Sequence, residues 1–148
     1  MARPKPPAAA LVASPDDIEQ QFYEALQQGN LDKLMAVWAD EEEITCVHPG
    51  SPRIVGLAAI RASFESMLGN GPANVRPEHV RRVQTTGSAV HSVVERVQLP
   101  SGDGAIAFVL ATNVYLKTTQ GWRLVAHHAS PGFTHDVADV SEAPSVLH

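Results

Sequence analysis

Two apolar runs lie close together near the end of the sequence: IAFVLATNVYL, residues 106–116, and GWRLVAHHA, residues 121–129. Both are rich in β-branched and aromatic residues, which are typical of strands rather than helices. Thr118–Gly121 supplies turn residues between them, and Gly121 can adopt a positive φ. Ser130-Pro131-Gly132 ends the second run because proline cannot donate to a strand ladder. The sequence therefore predicts a long β-hairpin around which the rest of the chain packs.

The composition excludes several classes of protein. The chain has 148 residues, a formal net charge of −5 and one cysteine, Cys46, so one domain without an internal disulfide is expected. The sequence carries no basic stripe that would neutralise phosphates, which argues against a nucleic-acid partner. No stretch approaches the roughly 20 apolar residues that span a bilayer. Residues 1–13 are interpreted as a flexible Pro/Ala-rich arm rather than a signal peptide, and we expect a cytoplasmic protein with no membrane partner.

Helical patterns precede the strands along the chain. The predicted elements, in order, are helices over 14–28, 31–38 and 57–68, a strand over 43–48 before the third helix, and strands over 75–85, 89–99, 106–116 and 122–129. Helices followed by a run of antiparallel strands indicate an α+β fold, with the helices gathered on one face of a curved sheet. Residues 133–148 are polar and without pattern, and we expect a loose tail there.

This order of elements resembles the NTF2-like superfamily, also called SnoaL-like or ketosteroid-isomerase-like. Three stretches carry the resemblance: TCVHP at 45–49 with Gly56-Leu57 after it, ATNVY at 111–115, and GWRLVAHHASP at 121–131. The same stretches resemble the association domain of calcium/calmodulin-dependent kinase II, a member of the superfamily that assembles and binds small acids. The resemblance covers residues 14–132. It implies a cone-shaped, cystatin-like fold in which three N-terminal helices pack on a strongly curved antiparallel sheet.

The resemblance also implies a pocket at the open end of the cone and a homodimer through the outer sheet face. It does not specify an activity, because this fold hosts isomerases, cyclases, dehydratases and non-enzymes. The association domain has cationic pocket residues at the positions of Glu95 and Asn113. An acid and an amide there favour a neutral or cationic ligand in this protein.

Side-chain alternation along the predicted strands gives candidate pocket residues. One face of the first hairpin strand carries small residues and ends in Asn113, which fits either a cavity wall or a close helix contact. Glu95 shares its face with Val93 and Val97. Burial there would raise the pKa of its carboxyl group towards that of a general base, whereas a salt bridge or a rim position is the alternative.

His48 and His127 complete the predicted catalytic set. His48 ends its strand at the expected pocket mouth, where it could titrate near neutral pH and pair with Glu95. His127 and His128 are adjacent on a strand, so only one of them can line the pocket. The association-domain resemblance favours His127, which would leave His128 on the outer face. His128 is nevertheless kept as a ligand-binding candidate.

Cys46 and Arg53 are further ligand-binding candidates, together with Asn113. Cys46 shares a face with His48, so a Cys–His nucleophile is conceivable, although a small buried core cysteine is more usual. Arg53 would bind a carboxylate if it reached the pocket mouth. No short metal-ligand motif or phosphate-binding loop is present, so we expect neither a metal site nor a cofactor.

Two functions are compatible with these observations. The first is a homodimeric domain that binds a small, largely apolar molecule and performs acid–base chemistry of the isomerase, cyclase or dehydratase type. The second is a non-catalytic association domain that oligomerises through an outer sheet face carrying Trp122 and Leu124. Titrating groups that meet inside a closed pocket would favour the first function, and an interior filled by packed side chains would favour the second.

Overall fold

A computed structural model of the protein describes residues 14–142. Its elements, in chain order, are helices α1 (Pro15–Gln28) and α2 (Leu31–Met35), strands β1 (Thr45–Val47) and β2 (Ile54–Val55), helix α3 (Leu57–Leu68), and strands β3 (Val75–Gln84), β4 (Ser88–Gln98), β5 (Ile106–Thr118) and β6 (Gly121–Ala129). The strands form one sheet in the order β2-β1-β6-β5-β4-β3. Neighbouring strands are antiparallel except β1 and β6, which are parallel. The predicted α+β cone is confirmed. The predicted arm, residues 1–13, and residues 143–148 of the predicted tail lie outside the described residues.

The predicted hairpin is formed by β5 and β6, with Gly121 at a φ of 102° in the turn. A β-bulge interrupts its register, because Val114 faces Ala126 whereas Tyr115 faces Leu124. The extra residue reverses the side-chain alternation of β6 on either side of the bulge. Leu124 is therefore fully buried in the core and Trp122 is also buried. The prediction that these two residues lie on the outer face was wrong for this reason.

Helix α1 begins and ends where the sequence predicts. Ser14 is the N-cap, its hydroxyl accepts from the backbone N–H of Asp17 at 3.2 Å, and the Asp17 carboxylate accepts from the Ser14 backbone N–H at 3.0 Å. This capping box satisfies two amides that the first turn leaves unpaired. Gly29 ends the helix at a φ of 67°, a left-handed conformation that favours glycine. The helix buries an apolar stripe that includes Ile18 and Phe22.

Helix α2 is shorter than predicted and ends at Met35, three residues before Trp38. The backbone of residues 37–39 pairs instead with the edge of β6: the Leu124 N–H donates to the Val37 carbonyl at 2.8 Å, and the Ala39 N–H donates to the Leu124 carbonyl at 2.9 Å. The free edge of β6 thus competes with helix continuation at these residues. Strand β2 was not predicted, because two residues are too few to show a period.

The core lies between the helices and the inner face of the sheet. The rings of Phe22 from α1 and Phe64 from α3 meet edge to face at 6.1 Å between centroids, and both side chains are buried. Inner-face residues of β4 and β5 alternate with more exposed ones, as predicted for strands covered on one face. None of the helices among residues 14–142 combines the length and the apolar character needed to cross a membrane.

Residues that follow β6 continue along the sheet. The Phe133 backbone exchanges two hydrogen bonds with Phe108, at 2.7 and 2.8 Å. Asp136 then lies 3.5 Å from His79, and Asp139 lies 3.1 Å from Arg81, both on β3. These ion pairs are exposed, so each contributes little stability. Residues 133–139 therefore cross from β5 to β3 within the region predicted as a tail.

Candidate functional site

A pocket of about 320 Å³ opens between α1, α3 and the inner face of the sheet. Its lining residues are largely apolar, namely Phe22, Leu26, Pro49, Phe64, Met67, Ala73, Val75, Val97, Leu99, Ala107, Val109, Ala129 and Gly132, with His48, Glu95 and His127 as the polar exceptions among the described residues. The volume falls in the range of small-molecule sites. All three predicted catalytic residues thus line one cavity.

Glu95 lies on β4 with only 6% of its surface exposed. Its Oε2 accepts a hydrogen bond from the Tyr23 hydroxyl of α1 at 2.7 Å. Burial raises the pKa of the Glu95 carboxyl group to about 7, against the opposing effect of the Tyr23 hydrogen bond, and the nearby Glu19 raises it further. Burial and the charge of Glu95 also raise the pKa of the Tyr23 hydroxyl, so Tyr23 remains a donor at neutral pH. Glu95 is thus able to gain or lose a proton near pH 7.

His127 lies beside Glu95, with its Nε2 3.9 Å from the Glu95 Oε2. Its Nδ1 is 2.5 Å from the Asn113 Oδ1. Because an amide oxygen only accepts, the His127 Nδ1 carries the hydrogen and Nε2 is left as an acceptor. Burial lowers the pKa of the His127 imidazole to about 3, with further lowering by His48 and His128. His127 is therefore neutral at physiological pH.

Asn113 lies behind the pocket rather than on its wall. Ala107 and Val109, on the same face of β5, do line the cavity. Asn113 lies four residues beyond Val109 on β5 and is fully buried. Its Nδ2 donates to the Tyr23 hydroxyl oxygen at 3.1 Å. Both predicted environments for this strand face occur, the cavity wall at 107–109 and close packing at 113. Among the catalytic candidates Asn113 contacts His127, so its effect on a ligand would be indirect.

His48 lies at the pocket mouth but does not pair with Glu95. Its Nε2 is 3.1 Å from the Ser63 hydroxyl, and its ring meets Phe64 edge to face at 5.0 Å. Burial lowers the pKa of the His48 imidazole. The Cys46 thiol lies 3.9 Å from the same Nε2 and is itself fully buried. Burial and the charge of Glu95 raise the pKa of the Cys46 thiol to about 12, so it does not supply a thiolate nucleophile.

The other three ligand-binding candidates also lie outside the pocket wall. His128 is exposed on the outer face, because it follows the inward-facing His127 on the same strand. Arg53 is exposed between β1 and β2 and does not reach the mouth. Cys46 packs in the core.

A separate group of possible metal ligands lies on the outer face, away from the pocket. One ligand atom each from Glu78, His79 and Asp136 lies within 4.8 Å of the others.

Two side chains on α1 that contact the candidate site residues were not predicted from the sequence. Tyr23 holds Glu95, and Glu19 contacts Asn113 at 3.3 Å. Their spacing of four residues places them on one helix face, beside the apolar stripe of Ile18 and Phe22. The sequence signal that could have identified them was a pair of polar residues, Glu19 and Tyr23, next to the apolar stripe of α1. The partners of this pair on β4 and β5 could not be inferred, because they lie more than 70 residues away in sequence.

Comparison with known proteins gives a consistent family. The model of the SnoaL-like domain matches residues 16–134. A solved structure from Thiobacillus denitrificans, described as a candidate calcium/calmodulin-dependent protein kinase type II association domain, is 34% identical over 80% of this chain and 94% of that chain, with a TM-score of 0.73. A candidate dehydratase of the NTF2-like family from Streptomyces avermitilis is 30% identical over 77% of this chain and 90% of that chain, with a TM-score of 0.70.

A protein with a cystatin-like fold from Caulobacter vibrioides is 14% identical, covers 78% of this chain and 84% of that chain, and has a TM-score of 0.67, which supports the fold alone. None of the curated protein sequences matches the chain. The resemblance inferred from the three sequence stretches is confirmed by the matched family model and by two structures at 30% identity or more. The chain therefore belongs to the SnoaL-like domain family, within the NTF2-like superfamily.

Proposed function

We propose that the protein binds a small, neutral, largely apolar molecule and transfers a proton within it. The observation that carries this proposal is the position of the Glu95 carboxyl group, 3.9 Å from the neutral His127 imidazole at the floor of an apolar pocket. Perturbed titrating groups in a cavity are typical of catalytic sites. No Lys or Arg is among the described lining residues, which argues against an anionic ligand.

Within this proposal Glu95 is the acid–base group and His127 is a hydrogen-bond acceptor for the ligand. Elimination of water is one reaction that this pair could support. The Glu95 carboxylate takes a proton from carbon, the C–O bond breaks as the double bond forms, and Glu95 returns the proton to the departing hydroxide. The similarity to a candidate dehydratase agrees with this class of reaction. A double-bond shift or a cyclisation would use the same return of the proton.

A panel of small neutral ketones and β-hydroxy ketones tests the proposal. In D2O, the protein is expected to catalyse deuterium incorporation next to the carbonyl group, or loss of water, with saturation at high ligand concentration. Mass spectrometry or proton NMR follows both products. The variant Ala107→Phe is expected to abolish the reaction, because the larger ring fills the pocket wall while leaving Glu95 and His127 intact.

Wild-type protein that neither binds nor exchanges any member of the panel would contradict a catalytic pocket for this class of ligand. Equal exchange by the folded Ala107→Phe variant would place the chemistry outside this pocket. The variant Val55→Phe is a matched control, because Val55 is exposed on β2 and does not line the cavity.

A second candidate function is association through the outer sheet face. Val90, Leu110 and Leu116 are exposed on this face of β4 and β5, with Phe108 and Val114 beside them. An exposed group of large apolar side chains is typical of an interface. The similarity to a candidate association domain from T. denitrificans agrees with it. We propose that a second copy of this chain covers the face to form a homodimer.

The variant Leu110→Asp is expected to convert the homodimer into a monomer, because it would bury a charge at the centre of the interface. Analytical ultracentrifugation measures the mass. Val55→Asp adds the same charge to the exposed edge strand β2, three strands away from β5, and is expected to leave the dimer intact. A wild-type monomer at high micromolar concentration would contradict the proposed interface, as would a dimer of Leu110→Asp.

A further inference from the structure

A second buried polar cluster lies behind the pocket, and the proposed reaction makes no use of it. The Glu19 carboxylate of α1 is 4% exposed. Its Oε2 accepts from the Tyr115 hydroxyl at 2.7 Å and from the Asn113 Nδ2 at 3.3 Å, and the His91 Nδ1 lies 2.9 Å from the same oxygen. A buried carboxylate is strongly destabilising unless hydrogen bonds replace its hydration, and three partners on one oxygen do so here. None of these four side chains lines the pocket.

Asn113 connects this cluster to the pocket. Because a carboxylate only accepts hydrogen bonds, the amide nitrogen of Asn113 must face Glu19, and the same nitrogen also donates to Tyr23. The Asn113 oxygen is thereby turned towards the Nδ1 of His127. A reversed amide would bring its oxygen against the Glu19 oxygen, and its N–H would then face His127, where it could be accepted only by a bare Nδ1. The contact with Glu19 therefore selects the amide orientation, and the amide selects the hydrogen position on His127.

We propose that Glu19 is a positioning residue for the pocket: through Asn113 it holds His127 with a hydrogen on Nδ1 and a bare Nε2 beside Glu95. This inference rests on the proposed acid–base function and deepens it. Free imidazole in histidine favours the opposite tautomer, with hydrogen on Nε2. The cluster of Glu19, His91 and Tyr115 thus acts on the reacting groups through one amide, without itself touching a ligand.

The selected tautomer narrows the class of ligand. A bare Nε2 accepts a hydrogen bond and cannot donate one to a neutral carbonyl group. A ligand hydroxyl that donates to His127 Nε2 would sit next to Glu95, 3.9 Å away from the same nitrogen. The pocket therefore fits a small apolar alcohol better than the same molecule without its hydroxyl group. Sites built around such a hydrogen bond discriminate strongly against ligands that lack it.

Nitrogen-15 NMR of protein labelled at histidine reads the tautomer directly in the resting protein. His127 is assigned from the signals lost in His127→Gln. We expect the wild-type protein to carry hydrogen on Nδ1 of His127. Glu19→Met, which keeps an unbranched side chain but removes the acceptor, is expected to give a mixture containing the Nε2–H tautomer. Glu19→Gln is expected to retain the wild-type tautomer, because an amide oxygen can replace Oε2.

The matched control is Gln20→Met, the adjacent and exposed residue on α1, which is expected to leave the His127 signals unchanged. A wild-type His127 with hydrogen on Nε2 would overturn the inference. So would a folded Glu19→Met variant in which His127 keeps hydrogen on Nδ1 alone. If Glu19→Met does not fold, two other measurements decide whether the inference stands: the His127 tautomer in the wild type and the titration of Glu95 in Glu19→Gln.

The titration of Glu95 gives a readout that a purely structural role would not change. Glu95 interacts with Tyr23 from α1, Cys46 from β1 and His127 from β6, and the charge of Glu19 raises its pKa. Glu19→Gln removes that charge, so the midpoint of Glu95, followed by carbon-13 NMR, is expected to fall. An unchanged or raised midpoint in this folded variant would contradict the role of Glu19.

The inference and the proposed function fail in distinguishable ways. The tautomer and the Glu95 midpoint are measured without a substrate, so they test Glu19 even where the ketone panel gives no turnover. Conversely, turnover that requires Glu95 together with the wrong tautomer of His127 would leave the acid–base function standing and remove Glu19 from it. Comparing a β-hydroxy ketone with its deoxy analogue tests the ligand class: weaker binding of the deoxy analogue supports it, and equal binding opposes it.

Discussion

Glu95→Gln is expected to lower catalysed proton exchange by about 100-fold or more, the usual contribution of a positioned acid–base group. The substitution keeps the shape of the side chain, and its amide oxygen can still accept from the Tyr23 hydroxyl that now lies 2.7 Å away. What it removes is the ability to take and return a proton near pH 7. Deuterium incorporation into a turned-over ketone measures the loss, and circular dichroism checks that the variant is folded.

His128→Gln is the matched control for this experiment. It introduces the same residue type on β6, next to His127, but the His128 side chain is exposed on the outer face and does not line the pocket. Its exchange rate is expected to equal that of the wild type. Folded Glu95→Gln protein with undiminished exchange would exclude Glu95 as the proton carrier and leave His48 and His127 as the titratable groups among the described lining residues.

The same variant is expected to change how stability depends on pH. The folded-state pKa of Glu95 is raised from its ordinary value of 4.5 to about 7. The protonated carboxyl group therefore contributes stability that is fully present below pH 4.5 and is lost as pH rises through 7. Because the glutamine of Glu95→Gln does not ionise, the variant does not lose this stability as pH rises. Between pH 4.5 and 8, the free energy of unfolding of the variant should rise relative to the wild type by roughly 3 kcal/mol.

The difference between the two proteins is the quantity to measure, by urea unfolding at a series of pH values, because His127 opposes Glu95 in the wild type. The folded-state pKa of His127 is lowered from 6.5 to about 3. Its contribution is present above pH 6.5 and is lost as pH falls through 3, so the two effects oppose each other between about pH 4.5 and 6.5. A difference that stays constant from pH 4 to 8 would contradict the raised pKa of Glu95. Glu41→Gln, an exposed carboxyl group outside the pocket, controls for the loss of one surface charge.

Much of the fold could be predicted because its signals are local. The two apolar runs, their glycine turn and the capping residues of α1 each act over a few positions, and each forms where predicted. Helix α2 was predicted too long because the competing interaction, backbone pairing of residues 37–39 with β6, is distant in sequence. The bulge that turns Leu124 into the core was missed for a related reason. A one-residue insertion leaves no mark in the run Leu124-Val125-Ala126, where apolar residues point to both faces, yet it reverses every side chain beyond it.

The same distinction between local signals and distant contacts applies to the candidate site. By itself the sequence determined, through strand alternation, that Glu95 shares an apolar face and that His127 and His128 point in opposite directions. Only the tertiary structure decided what surrounds them. It brings the Tyr23 hydroxyl into contact with Glu95, 72 residues away in sequence, and the Glu19 carboxylate into contact with Asn113, 94 residues away. Alternation follows from backbone geometry that every strand possesses, whereas burial, pKa and hydrogen position depend on which distant groups the packed helix brings into contact.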